Sequence, residues 1–312
     1  MSTQLLVAFD GSTAAEAAVR AAGALFPRSS AIILNVQQEP VSLQQAVATA
    51  RIAIPDDVIA GGIAALDRAS AYEAESIATE GARIATGAGL EAAPRTMDAA
   101  GSTWRGIRRV AQSSRADVIV CGSRGLSAFS RAVVGSTTYG LLHHADRPVL
   151  VVPEGAGDVS GPLVIGYDGS ESSRRAIATA GRLLGGRQTM IVRVWESAIR
   201  HTLSGRALAG APNEEIRAIA QDLDAYFEEV AGAIAAEGAA LAHDHELQAT
   251  ARTAEAAGSA WRGLLATAHS HGAAAIVVGS RGHGGLTSAL LGSVSSGLVH
   301  NADLPVVVVP AP

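Results

Sequence analysis

Short, mainly apolar runs alternate along this chain with longer stretches in which small apolar residues recur every three to four positions. Gln4–Phe9, Ala31–Val36, Asp117–Cys121 and Val149–Val152 are runs of the first kind. Runs of that length read as strands buried on both faces, the pattern of a parallel sheet between helices. Helical spacing predicts helices over roughly Ala14–Leu25, Ile63–Thr86, Ser102–Ser114 and Thr137–His144, with a short strand near Glu91–Met97. Gln38–Asp57 has little periodicity and contains Pro40 and Pro55, so it reads as an irregular loop, part of it open to a helical reading. The polar, glycine-rich stretch Glu154–Pro162 then intervenes, and the pattern begins again. Its second run predicts strands at Leu163–Tyr167, Thr189–Trp195, Leu241–Gln248, Ala275–Val278 and Val306–Val309. Helices are predicted at Glu171–Leu184, Glu214–Glu237, Ser259–His271 and Val294–Asn301. Strand and helix in alternation, joined by right-handed crossovers, make a doubly wound α/β fold.

The recurrence extends to residues. Asp10-Gly11-Ser12 returns as Asp168-Gly169-Ser170, displaced by 158 positions. Gly101-Ser-Thr-Trp-Arg-Gly106 returns as Gly258-Ser-Ala-Trp-Arg-Gly263, displaced by 157. His144-Ala-Asp-Arg-Pro148 returns as Asn301-Ala-Asp-Leu-Pro305 at the same spacing. One net residue of slippage over so long a stretch means two copies of one fold. The expected organisation is a first domain at 1–153, a linker at 154–162 and a second domain at 163–312, each a parallel five-stranded sheet flanked by helices.

The chemistry concentrates after the fourth strand of each copy. Gly122-x2-Gly125-x9-Gly135-Ser136 recurs as Gly279-x2-Gly282-x9-Gly292-Ser293. Strand, glycine loop and helix start in succession make a cradle for an anion, because first-turn N–H groups have no intrahelical partner and the helix dipole is positive there. Ligands in doubly wound sheets sit beyond the C-terminal strand ends where strand order reverses. The reading therefore requires the first and fourth strands to be neighbours. Composition narrows the partner. With 312 residues, 48% hydrophobic, 17% charged, a net charge of −5 and pI near 6.0, the chain has no basic footprint for nucleic acid or an anionic membrane. No apolar run approaches the ~20 residues of a membrane-spanning helix. The N-terminus enters a strand without a basic region, and Cys121 is the single cysteine, so the expectation is a protein of the reducing cytoplasm without a signal peptide.

Asp-Gly-Ser after the first strand, Gly-x2-Gly-x9-Gly-Ser after the fourth and a closing Ala-Asp-x-Pro-Val-x-Val-Val together resemble the universal stress protein family, in its tandem two-domain form. The resemblance covers nearly the whole chain and implies the family's adenine nucleotide α hydrolase-like fold. The glycine motif marks ATP-binding members of that family, and both copies keep it. By resemblance, Asp10 and Asp168 lie at the nucleotide near ribose and adenine. A carboxylate there can accept from ribose hydroxyls or help hold Mg²⁺; the same three residues would also make a turn capping the next helix. Val36 and Val194 match a position whose backbone meets adenine. Ala8 and Phe9, with Gly166 and Tyr167, and Cys121 with Val278 complete the lining. Gly122, Gly125, Gly135 and Ser136, with Gly279, Gly282, Gly292 and Ser293, are the implied phosphate and ribose contacts. Thr137, Thr138, Val294 and Ser295 continue the helix start, and Arg124 and Arg281 could meet a phosphate or sit solvated. Because Leu126–Phe129 and His283–Leu286 differ, the two sites are expected to differ in affinity.

Other constellations are weaker. No Gly-x4-Gly-Lys-[Ser/Thr] is present, nor a Gly-x-Ser-x-Gly elbow. His243-Asp-His245 alternates on a predicted strand and His269 and His271 end a helix, with too few ligands for a metal site. His143-His144 close a helix, and Trp104 and Trp261 read as helix-to-sheet packing. Val149–Val152 and Val306–Val309 are bare apolar edges, best covered by pairing with each other in an internal pseudo-dimer or in a homodimer. The functional expectation is ATP with Mg²⁺ in each half, a regulatory stress role and at most slow hydrolysis, since no base is paired with a nucleophile. AMP or cyclic AMP, an interaction module whose loops are vestigial, and a weak ATPase are the alternatives.

Overall fold

Leu5, Leu6 and Val7 are wholly buried in the first strand, β1 (Gln4–Ala8), which has a sheet neighbour on either side and helices packed over its faces. The computed structural model describes residues 3–37, 56–98, 101–125, 134–157, 159–197, 213–256, 258–282 and 291–311. It divides into two units, Met1–Gly155 and Ala156–Pro312. In the first unit β1 is followed by α1 (Thr13–Leu25), β2 (Ser30–Gln37), α2 (Asp56–Gly87), β3 (Glu91–Asp98), α3 (Thr103–Ser113), β4 (Val118–Gly122), α4 (Ser136–His144) and β5 (Val149–Val152). The second unit repeats the series as β6 (Leu163–Gly166), α5 (Glu171–Leu184), β7 (Gln188–Trp195), α6 (Asn213–Asp244), β8 (Gln248–Glu255), α7 (Ala260–Ser270), β9 (Ala275–Gly279), α8 (Ser293–Asn301) and β10 (Val306–Val309).

The strand order of the first unit is β3-β2-β1-β4-β5 and that of the second β8-β7-β6-β9-β10, with every pairing inside a unit parallel. Strand order thus reverses between β1 and β4, and between β6 and β9, as the reading of the glycine loops requires. The outer strand β3 is mostly exposed and carries Pro94 and Arg95, which protect an edge from unwanted pairing.

One predicted strand is corrected. Leu241–Gln248 is not a strand: α6 runs through to Asp244, and β8 begins only at Gln248. Ala231, Ala235, Ala239 and Ala242 are all buried at helical spacing, and Leu247 N–H closes onto the Ala242 carbonyl at 3.0 Å. The alternation of His243-Asp-His245 therefore belongs to a helix end and turn. In the first unit the matching stop is signalled by Gly89 (φ +87°); here Glu246 takes the left-handed position (φ +62°), so the sequence lacks its usual punctuation. The same exchange occurs twice more. Arg28 (φ +60°) matches Gly186 (φ +79°), and Arg115 (φ +54°) matches Gly272 (φ +57°). The helix expected from Ile63 begins earlier, at Asp56, and the rest of the irregular segment lies outside the described residues, as does Ala198–Pro212.

The repeated glycines and tryptophans have a packing role. Trp104 lies across Gly140 and Trp261 across Gly297, so these indoles join α3 to α4 and α7 to α8. These contacts run between helices, where the expectation was packing of helix on sheet. Trp104 also stacks on His144 in the last turn of α4, with ring centroids 4.4 Å apart.

Candidate functional site

Turn chemistry builds the first wall of the site. Gly11 takes φ +80°, which lets the chain reverse after β1. Asp10 Oδ1 accepts from Ser12 N–H at 3.0 Å, and Ser12 Oγ caps α1 by accepting from Ala15 N–H at 3.2 Å. The second unit repeats both bonds: Asp168 Oδ1 with Ser170 N–H at 3.0 Å and Ser170 Oγ with Ser173 N–H at 3.2 Å. The turn-and-cap reading of Asp-Gly-Ser therefore holds, through the Oδ1 of each carboxylate. The second oxygen, Asp10 Oδ2, faces the glycine loop so closely that a methyl on Gly125 would come within 2.6 Å of it. For Asp168 Oδ2 and Gly282 the corresponding distance is 2.9 Å.

The opposite wall is the start of α4. Gly135 N–H donates to the Ser123 carbonyl at 3.0 Å, which draws the two ends of the glycine loop together, and Thr138 Oγ1 donates to the Gly122 carbonyl at 2.8 Å. In the second unit Gly292 N–H bonds the Ser280 carbonyl at 2.8 Å, and Ser295 Oγ bonds it at 3.1 Å. Among the described residues neither α4 nor α8 has a side-chain N-cap bond, since Gly135 and Gly292 occupy that place. The differing loops Leu126–Phe129 and His283–Leu286 lie outside the described residues.

Between these walls the first unit holds a cleft of about 510 Å³. Every first-unit residue singled out from the sequence lines it: Ala8, Phe9, Asp10, Val36, Cys121, Gly122, Arg124, Gly125, Gly135, Ser136, Thr137 and Thr138. Sequence reasoning missed Asn35, Gln37, Ser70, Glu73, Ile77 and Thr103, which also line it. Asn35 carried a signal, being a polar residue at the end of an apolar run; its amide donates to the Phe9 carbonyl at 2.9 Å. Ser70, Glu73 and Ile77 share one face of α2 at spacings of three and four, but nothing local says that this face reaches the sheet's C-terminal edge. Gln37 Nε2 donates to Ser70 Oγ at 2.5 Å across the rim.

Gly122 and Gly279 serve packing as well. A methyl on Gly122 would come within 2.9 Å of Ala14, and one on Gly279 would strike Ser172, so each glycine admits the first turn of the neighbouring helix. Cys121 is buried and its thiol is pushed up to about 12 by desolvation, which makes it a core residue rather than a nucleophile. Gly166, Tyr167, Val194 and Val278 close β6, β7 and β9 in the second unit, and Ser293, Val294 and Ser295 open α8. Positions matching Asn35, Gln37, Ser70, Glu73 and Thr103 carry Arg193, Trp195, Phe227, Val230 and Ala260 there. Tyr167 takes the place of Phe9, and its hydroxyl donates to Glu237 at 2.9 Å. His269 pairs with Asp303 at 2.6 Å; among the described residues no group of three or more His, Cys, Asp and Glu side chains is placed to hold a metal. No helix among them is long and apolar enough to cross a membrane.

Comparison with known proteins gives the family. The profile of the universal stress protein family matches residues 1–153 and 161–310. A universal stress protein of Mycolicibacterium smegmatis is 34% identical over 204 residues, which cover 63% of this chain and 63% of that relative. One from Mycobacterium tuberculosis is 28% identical over 200 residues, 63% of this chain and 62% of its own length. Among solved structures, a universal stress protein from Archaeoglobus fulgidus superposes with a TM-score of 0.60 at 19% identity, over 99% of this chain and 98% of that one. A Pseudomonas aeruginosa structure described as a putative universal stress protein gives 0.55 at 15% identity, over 99% of this chain and 93% of its own. At these identities the structures speak for the fold alone. With two matches that together span almost its whole length, the chain belongs to the universal stress protein family and carries two of its domains in tandem.

Proposed function

We propose that each unit binds one ATP, with Mg²⁺ at its phosphates, and that occupancy regulates partner binding in a cytoplasmic stress response. The observation that carries this reading is the first unit's cleft, where a carboxylate, a glycine loop and an uncapped helix start converge at the strand-order reversal. Its volume of about 510 Å³ lies within the usual range for small-ligand sites. The main chain at Val36 would read the adenine edge, Asp10 Oδ2 would take ribose hydroxyls, and the Thr137 and Thr138 amides would take phosphate oxygens. Mg²⁺ would neutralise phosphate charge, bound by phosphate oxygens and water with at most the Asp10 carboxylate from the protein. Asp168, Gly279, Arg281, Gly282, Gly292, Ser293, Val294 and Ser295 would do the same in the second unit. The different residues at the matching positions, Trp195, Phe227 and Val230 in place of Gln37, Ser70 and Glu73, support unequal affinities. A regulatory role requires that ATP bind two conformations unequally, and any hydrolysis would be slow. We place the joint between the domains at 154–162. We further propose that the β5 and β10 edges are covered by pairing with each other or in a homodimer, because both are uncharged valine-rich strands.

The first test is to denature the purified protein and count the nucleotide released. One or two adenine nucleotides per chain are expected, with Asp10→Asn together with Asp168→Asn emptying both sites; Asn retains the acceptor for the turn. Absence of nucleotide, with none taken up from ATP and Mg²⁺, would assign the chain instead to interaction modules without nucleotide.

A further inference from the structure

Arg124 lines the cleft, but its guanidinium is engaged. Nη2 lies 3.3 Å from Glu154 Oε2, with 19% of the arginine side chain exposed. The other carboxylate oxygen, Glu154 Oε1, accepts from Thr13 Oγ1 at 2.7 Å, so Glu154 bridges the glycine loop to the first residue of α1. Glu154 itself follows β5 by two residues and is 48% exposed at the side chain. The second unit lacks this arrangement. Ala311 stands where Glu154 would be, Glu171 replaces Thr13 and turns to Arg175 at 3.5 Å, and Arg281 is exposed.

We propose that Glu154 is an internal counter-charge that competes with anionic ligand for Arg124, setting the polyphosphate affinity of the first unit alone. The proposal rests on the nucleotide reading above. A phosphate entering the cleft meets a guanidinium already paired and a carboxylate of its own sign close by, and both oppose binding in proportion to ligand charge. Displacing Glu154 also frees Thr13, so occupancy would be signalled to the segment that joins the two domains. Because the pair is partly exposed, its removal changes affinity by a modest factor, roughly two- to fivefold.

The test is a charge series, adenosine, AMP, ADP and ATP with Mg²⁺, titrated calorimetrically into the full chain carrying Asp168→Asn. Glu154→Gln, which keeps an acceptor for Thr13, should tighten ATP by roughly two- to fivefold, leave adenosine unchanged, and lose its effect when Arg124→Gln is added. In the converse variant, Ala311→Glu in a chain with Asp10→Asn should weaken ATP binding at the second unit, which keeps the proposal testable if Glu154→Gln does not fold. ATP affinity unchanged or lowered by Glu154→Gln, or an equal gain for adenosine, overturns the counter-charge while leaving the nucleotide reading intact. A wild-type chain that takes up no nucleotide overturns both.

Discussion

Asp10 sits between a turn and the glycine loop. Its two oxygens are divided: Oδ1 holds the turn through Ser12, and Oδ2 faces Gly125 in the cleft. From sequence the turn and the ligand readings looked like rivals; the turn is present, and the ligand role is the one proposed above. Tyr167 is a residue-scale difference with a measurable consequence. Its ring is buried and its hydroxyl donates to Glu237, whose carboxylate also meets Arg174 at 2.5 Å. Burial first, then the Glu237 hydrogen bond, push the phenol up to about 12 from an ordinary 10.0. A raised folded-state value means the folded chain keeps its proton longer than the unfolded one. The resulting stability is fully present below pH ~10 and is lost as pH rises toward ~12. Absorbance titration at 295 nm should show a phenolate step near pH 12 that disappears in Tyr167→Phe. If that step survives in the variant, it does not belong to Tyr167.

At the scale of elements, Gly122 and Gly279 matter because two elements meet over each. The first turn of α1 lies against β4 where Gly122 leaves no side chain, and α5 does the same over Gly279 in β9. We expect Gly122→Ala to destabilise the first unit by about 1–3 kcal/mol through overpacking, read as a lowered denaturant midpoint. Nucleotide loss in that variant would follow from a displaced α1, which is why Asp10→Asn is the cleaner probe; an unchanged midpoint would show that α1 yields without cost. Elements were legible where pattern and punctuation agreed. Val149–Val152, Glu171–Leu184 and Val306–Val309 match their predicted bounds. Leu241–Gln248 failed because a three-residue polar alternation competed with the helical spacing of Ala235, Ala239 and Ala242, and Glu246 hid the helix stop. The repeat itself offered the remedy, since Glu91 displaced by 157 is Gln248.

For the whole molecule, the duplication was plain in the sequence because it is a long-range regularity that needs no packing argument. The convergence of Asp10, Val36 and the glycine loop was legible too, since strand order in a doubly wound sheet brings those ends together. The polar rim was not: Ser70, Glu73 and Thr103 reach the cleft only through the placing of α2 and α3 on the sheet. The two halves also diverge at the left-handed positions, where Arg28, Arg115 and Glu246 stand opposite Gly186, Gly272 and Gly89. A non-glycine residue there costs about 1–2 kcal/mol, offset in part by the unfolded-state freedom that glycine adds. Each of Arg28→Gly, Arg115→Gly and Glu246→Gly should therefore stabilise its own half by about 0.5–1 kcal/mol in denaturant unfolding. No gain in any of the three would mean that local contacts already compensate the strain. The duplicated chain is in this sense its own homologue: each copy records a solution the other has lost, and a sturdier protein could be written using residues already found within this one sequence.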